Sequence, residues 1–144
     1  MKNILTFCLV CFLATQINAQ NKSINAFISY GTFNIIEENN NPYIETYITF
    51  DCNSLVYVKN QNEYESTINL TVLFKQGESI KNYDKYSVTS PKVADTANIN
   101  GFFMDVQRYS LANGEYQMEL IIEDANNNIK PLKVSETIEE TTGI

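Results

Sequence analysis

Beyond residue 20, apolar positions recur every second residue, and a helical period of 3.6 holds nowhere for long. Period two marks a strand with one face on a core and the other in water. Residues 43–51, YIETYITFD, alternate cleanly: Ile44, Thr46, Ile48 and Phe50 share one face, and Tyr43, Glu45, Tyr47, Thr49 and Asp51 the other. From Tyr64 to Lys75 the pattern is clearest, with Ile68, Leu70, Val72 and Phe74 opposite Thr67, Asn69 and Thr71. Leu73 is its exception, on the outer face. Farther on, Tyr116, Met118, Leu120 and Ile122 oppose Gln117, Glu119, Ile121 and Glu123.

Weaker runs fill the intervals. Ile24, Phe27, Ile28 and Tyr30 predict a first strand ended by Gly31. Asp51-Cys52-Asn53-Ser54 reads as a turn, with Leu55 to Lys59 as its return strand. Gln76-Gly77-Glu78-Ser79 is a tight turn into Ile80–Val88, whose weak pattern suits a sheet edge and which Pro91 stops. After a polar loop over 91–100, Phe102, Met104 and Val106 alternate with Phe103, Asp105 and Gln107, leaving apolar bulk on both sides. Leu111 to Gly114 turns the chain, 124–128 is a loop, and Lys130–Glu140 is a last strand carrying Leu132, Val134 and Ile138.

About seven or eight antiparallel strands with one apolar face each predict an all-β chain. Each such face needs a partner layer, so a single sheet wet on both sides does not fit, and a β-sandwich does. The segment Leu111-x-x-Gly114-x-Tyr116 resembles the penultimate-strand entry of immunoglobulin-like and fibronectin-like sandwiches. In those folds a tyrosine hydroxyl bonds back to the preceding loop, the tyrosine corner. The alternative is an ordinary hairpin with a core tyrosine.

The first 19 residues follow another pattern. Lys2 precedes an apolar run, ILTFCLVCFLA over 4–14, and small Ala19 closes the segment. This is the layout of a secretory signal peptide cut after Ala19, leaving a single domain over 20–144. The run is shorter than the 17–25 residues that span a bilayer. A lipoprotein signal at Cys11 fits poorly, because bulky Val10 precedes the cysteine and apolar sequence continues past it. The expected compartment is outside the cytoplasm: periplasm, cell surface or medium. Cutting 19 of 144 residues leaves 125, removes Lys2 and two of the three cysteines, and takes the net charge from -7 to -8. Cys52 then has no intrachain partner and is expected to be buried or half-buried. With no disulfide staple, the fold must rest on its core.

That charge opposes nucleic-acid binding, which needs a surplus of basic groups, and equally a polybasic membrane patch. Histidine is absent, which excludes Ser-His-Asp and Cys-His catalysis and histidine-ligated metals. Asp124 to Asn128 matches positions 1, 3 and 5 of an EF-hand loop, but Ile129 stands where glycine is needed and Ser135 where glutamate is needed. Glu37-Glu38 with Asn39-Asn40-Asn41 offers oxygens to calcium, though a solvated loop is the plainer reading. Asp51, Asp84, Asp105 and Glu119 are strand-borne acids, all expected to point outward, and nothing selects a catalytic pair among them. Five isolated glycines form no phosphate loop. No enzyme, cofactor or metal site is expected.

A further resemblance rests on the strings PYIETYITFD, VLFKQG, NYDKYSVTSP and YSLANGEYQMEL. Together they resemble the N-terminal β-sandwich domain of large exported Bacteroidetes proteins, over Ala19 to Glu140. Some of those resemble chains with a later Gly-Trp-x-Thr-Asp domain, which is absent here because the sequence holds no tryptophan. The resemblance implies a cell-envelope module and names no chemistry. The end at Ile144, soon after the last strand, reads either as a true terminus or as the start of a linker.

Aromatic residues supply the candidate surface. Tyr43 and Tyr47 share the polar face of their strand at a spacing suited to stacking a saccharide or a peptide. Cross-strand pairing within the sheet is the structural alternative. Tyr57 and Tyr64, read as paired between neighbouring strands, are a second place to look. Asn21-Lys22-Ser23 and Asn69-Leu70-Thr71 are formal N-glycosylation sequons. Asp95-Thr96-Ala97 resembles the O-glycosylation signal of exported Bacteroidetes proteins, with Thr96 as the acceptor. The leading expectation is a non-enzymatic envelope or secreted module that contacts a protein partner, with Tyr83–Val88 as an edge for strand addition. The alternatives are a carbohydrate-binding module and, third, a calcium-dependent adhesion domain.

Overall fold

The computed structural model describes residues 23–34 and 42–140. The segments expected to hold the signal peptide (1–19), the Asn21 sequon and the Glu37–Asn41 oxygen cluster lie outside the described residues. Among the described residues nine strands follow in order: β1 (Ala26–Asn34), β2 (Pro42–Asp51), β3 (Val58–Asn60), β4 (Glu63–Glu65), β5 (Thr67–Gln76), β6 (Ser79–Thr89), β7 (Phe102–Ser110), β8 (Gly114–Asp124) and β9 (Leu132–Glu140). Seven of them build two antiparallel sheets, a three-stranded one ordered β1-β2-β7 and a four-stranded one ordered β6-β5-β8-β9. The short pair β3–β4 forms a separate hairpin. The described residues form an all-β, sandwich-like fold, and no helix among them is long and apolar enough to cross a membrane.

One core joins the sheets, because the alternating strands turn their apolar faces toward each other. Ile44, Ile48 and Phe50 of β2 cluster with Ile68, Leu70, Val72 and Phe74 of β5, Met118, Leu120 and Ile122 of β8, and Ile138 of β9. Each fully buried side chain of this size contributes about 1.5–3 kcal/mol over leaving it exposed. The turn between β5 and β6 is as tight as the pattern requires: Gln76 pairs with Ser79, and Gly77 takes the left-handed conformation at φ 57° that a side chain would strain. At the entry to β8, the Tyr116 hydroxyl donates to the Ala112 carbonyl at 2.8 Å, the bond expected of a tyrosine corner. Cys52 is buried, and the β6 run does lie on an edge.

Several expectations are corrected. Gly31 does not end β1, which stays paired with β2 through Asn34. A Cβ at Gly31 would lie 2.9 Å from the Phe33 ring, so the glycine makes room for that ring and does not turn the chain. No return strand follows β2, because both of its edges are already taken, by β1 and β7. A 3-10 turn over Cys52–Ser54, capped by the Asp51 carboxylate accepting from Asn53 N, instead sends the chain across to the other sheet. Buried Leu55 anchors that crossing. Of the expected strand only Val58 and Lys59 are paired, as part of β3, and the partner is β4. The run read as starting at Tyr64 divides at Ser66, which is pinned to Ser90 by two hydrogen bonds of 2.9 and 3.0 Å.

The largest correction concerns β7. Phe103 and Tyr109 turn toward the core, together with Asp105 and Gln107, while Phe102, Met104 and Val106 face outward. Asp84 on β6 is likewise inward. The acids read as solubilising groups therefore face each other across the flank where edges β6 and β7 meet. Tyr86 Oη donates to Asp105 Oδ2 at 2.7 Å, Gln107 Nε2 donates to Asp105 Oδ1 at 3.1 Å, and Tyr109 Oη lies 3.5 Å from Asp84 Oδ2. Burial, and then the neighbouring carboxylates, push both phenols well above the ordinary tyrosine range, so both stay protonated and donate.

Candidate functional site

Turning the apolar set of β7 outward makes a surface. In the three-stranded sheet, Thr49 of β2 lies between Phe27 of β1 and Met104 of β7, and Tyr47 lies opposite Val106. Phe27 is 60% exposed, Phe102 63%, Met104 58% and Val106 44%. The rings of Phe27 and Phe102 reach across β2 and meet edge to face, with centroids 6.2 Å apart. Cross-strand neighbours lie about 5 Å apart, so these side chains form one continuous apolar patch. Soluble proteins seldom expose such patches without a use for them.

The other end of the same face is aromatic and ionic. Phe33 stacks on Tyr43 with centroids 5.4 Å apart, and the Arg108 guanidinium sits 4.4 Å from the centre of the Tyr43 ring. Phe33 comes from β1 and Arg108 from β7, so Tyr43 is flanked from both neighbouring strands. Arg108 also donates to Glu45 Oε1, from Nε at 3.0 Å and from Nη2 at 2.5 Å. The Tyr47 hydroxyl donates to Glu45 Oε2. Glu45 thus holds its proton more weakly than an ordinary glutamate, first through Tyr47 and second through Arg108. Tyr47 is shifted upward by the same bond. Glu45 and Arg108 neutralise each other at this end, leaving, among the described residues, a face of aromatic rings, methionine and arginine, the residue types enriched at protein interfaces.

The four tyrosines singled out from sequence do not form one surface. Tyr43 and Tyr47 lie on this face. Tyr57 lies half-buried on the crossover after Leu55, packed against the core beside Cys52 and Ser90, and burial raises its pKa. Tyr64 lies in β4 opposite Lys59, and its backbone exchanges hydrogen bonds of 2.8 and 2.9 Å with Val93. The expected Tyr57–Tyr64 pair is not formed. Thr96 is exposed in the loop between β6 and β7, beside an Asp95 carboxylate that accepts from Ala97 N at 3.0 Å.

The EF-like loop has another use for its acid. Asp124 is buried, and its carboxylate accepts from Val56 N at 2.9 Å and from Asn126 N at 2.8 Å. It ties the crossover to the β8–β9 turn. Among the described residues no group of three or more acidic, cysteine or histidine side chains could hold a metal ion.

Sequence reasoning missed Phe27, Phe33, Phe102, Met104, Val106 and Arg108 as surface residues. The available signal was the double apolar pattern of 102–109, in which the inward set contains Asp105 and Gln107. In comparisons with known proteins, the chain matches no family model, no curated protein and no solved structure.

Proposed function

We propose that the protein is a non-enzymatic β-sandwich module of the cell envelope or the secreted fraction, and that it binds a protein partner through the outer face of β1-β2-β7. The observation that carries this reading is the continuous patch of Phe27, Phe102, Met104 and Val106, bordered by Tyr43, Tyr47 and Arg108. The secretory pattern of residues 1–19 supports export, and the resemblance to exported Bacteroidetes domains supports the envelope. The sandwich type we propose is fibronectin-like: three strands ordered β1-β2-β7 against four ordered β6-β5-β8-β9, with the Tyr116 corner at the entry to β8. A non-catalytic role is supported by the engagement of the inward acids, Asp84 and Asp105, with tyrosine hydroxyls.

The saccharide alternative draws less support. Stacking a sugar needs a free ring face, and the Tyr43 ring is already flanked by Phe33 and Arg108. The calcium alternative draws less as well, because both Asp124 oxygens accept backbone N–H groups. Photo-crosslinking in the native host tests the proposal. A benzophenone side chain at Phe102 or Met104 is expected to capture one discrete protein, and the same probe at Lys85, on the four-stranded sheet, is not. Equal capture at all three positions, or none at Phe102 and Met104, overturns the reading.

A further inference from the structure

Among the described residues four long strands lie at sheet edges, and three of them carry a device against pairing with another chain. Edge strands are protected by charges, including charges on the core-facing side, and by bulges or proline. On β7 the core-facing set includes Asp105, on β6 it includes Asp84, and on β9 Glu136 shares the parity of buried Ile138. The β5–β6 ladder also shifts register at Phe74/Lys75. The fourth edge strand, β1, reads AFISYGTFN, with no charge and no proline, and it pairs with β2 over nine consecutive residues without a bulge. Among the described residues nothing pairs with its backbone edge away from β2, which is a regular, uncharged template.

We infer that β1 is a self-association edge, at which a second copy of this chain adds its own β1 antiparallel about a two-fold axis at Tyr30. The register follows from the side chains. Opposite residues of an antiparallel pair point to the same face, and a one-residue slip would place core-facing against outward residues. Centring on Tyr30 pairs all nine positions and sets Phe27 of each copy opposite Phe33 of the other, both on the outer face. Both are exposed, at 60% and 40%. Aromatic pairs of this kind are among the favourable cross-strand contacts. Gly31 then faces Ser29 of the second copy, a small pair between two large ones. The chain carries a formal charge of -7, so two copies repel over most of their surfaces and approach most readily along a strand with no charge. The result is a continuous six-stranded sheet that joins the two outer faces into one.

Sedimentation of the purified protein over a range of concentrations tests this. A monomer–dimer equilibrium is expected. Ser29→Lys sets two like-charged side chains on diagonal positions about 7 Å apart across the two-fold and is expected to weaken dimerisation about ten-fold or more. Thr32→Lys, on an exposed position of the same strand, carries the test if Ser29→Lys fails to fold by circular dichroism. Met104→Lys, on the far edge of the same face, leaves the dimer intact. Oxidation of Tyr30→Cys is expected to give a covalent dimer, since that position alone meets itself in this register. A protein monomeric at all concentrations, a dimer indifferent to both lysines on β1, or a dimer lost with Met104→Lys overturns the inference; the last outcome assigns self-association to the outer face.

Discussion

Removing the Asp124 carboxylate should loosen the fold at the end of β8, where the loop that follows carries no core side chain of its own. Its two oxygens accept from Val56 N at 2.9 Å and Asn126 N at 2.8 Å, and Asn126 Nδ2 donates to Val56 O at 3.3 Å. Hydrogen bonds to a charged acceptor contribute about 1.5–3 kcal/mol each, and a buried donor left alone costs about 1–3 kcal/mol. Val56 and Asn126 are only half-buried, so water recovers part of the loss. Asp124→Ala is therefore expected to cost about 2–3 kcal/mol, and Asp124→Asn, which keeps one acceptor, about 1 kcal/mol. For a domain of this size each kcal/mol lowers Tm by about 4 °C, so the alanine variant should melt about 10 °C earlier and the asparagine variant about 4 °C earlier. Thermal unfolding followed by tyrosine fluorescence is the assay, since the chain has no tryptophan. A fall under about 3 °C for Asp124→Ala would refute the staple. So would a calcium-dependent rise in the wild-type Tm that Asp124→Asn abolishes, because the carboxylate would then be a cation ligand.

Three further outcomes are expected. Tyr116→Phe removes the 2.8 Å bond to Ala112 O while keeping the buried ring, and since Ala112 is exposed its carbonyl finds water; denaturant melts should show a loss of about 1 kcal/mol, and a neutral result would deny the corner any energetic role. Thr46 Oγ1 is buried without a hydrogen-bond partner among the described residues, so Thr46→Val should raise stability by about 1 kcal/mol, and a lowered Tm would mean the hydroxyl is engaged. The lowered pKa of Glu45 stabilises the fold above the unfolded carboxylate range, and that contribution disappears as pH falls through the folded value. A carboxyl NMR titration should place its midpoint below that of an unfolded-chain glutamate, and Tyr47→Phe should raise it; a midpoint at or above the ordinary range would contradict the Tyr47 and Arg108 contacts.

The strands legible in the sequence were those whose two faces differ most. In β2, β5 and β8 the buried set is apolar apart from Thr46 and Asp124, and the opposite set is mostly polar, so period two assigns each side chain its face. All three have neighbours on both edges, and a strand so placed is held to strict alternation by the layer packed over it. The tight turn at Gly77 and the Tyr116 corner were readable for a related reason, since their chemistry is local in sequence.

Edge strands were not readable in this way, and they decide the candidate site. On β7 both faces carry apolar groups, so periodicity cannot say which is inward; that is settled by Phe50 stacking on Phe103, centroids 5.1 Å apart, and by Tyr86 reaching Asp105 from the opposite sheet. The crossover after Asp51 was misread as a hairpin because β-propensity says nothing about whether the neighbouring edge is already occupied. The sequence by itself determined an all-β chain, its three central strands and an acidic surface. Tertiary structure decided that β1, β7 and β9 join β6 at edges, that the inward acids of β6 and β7 meet two tyrosines, and that Phe27, Phe102, Met104 and Val106 share one exposed face. The physical reason is that alternation is a property of one strand, whereas a face is a property of the strands paired beside it.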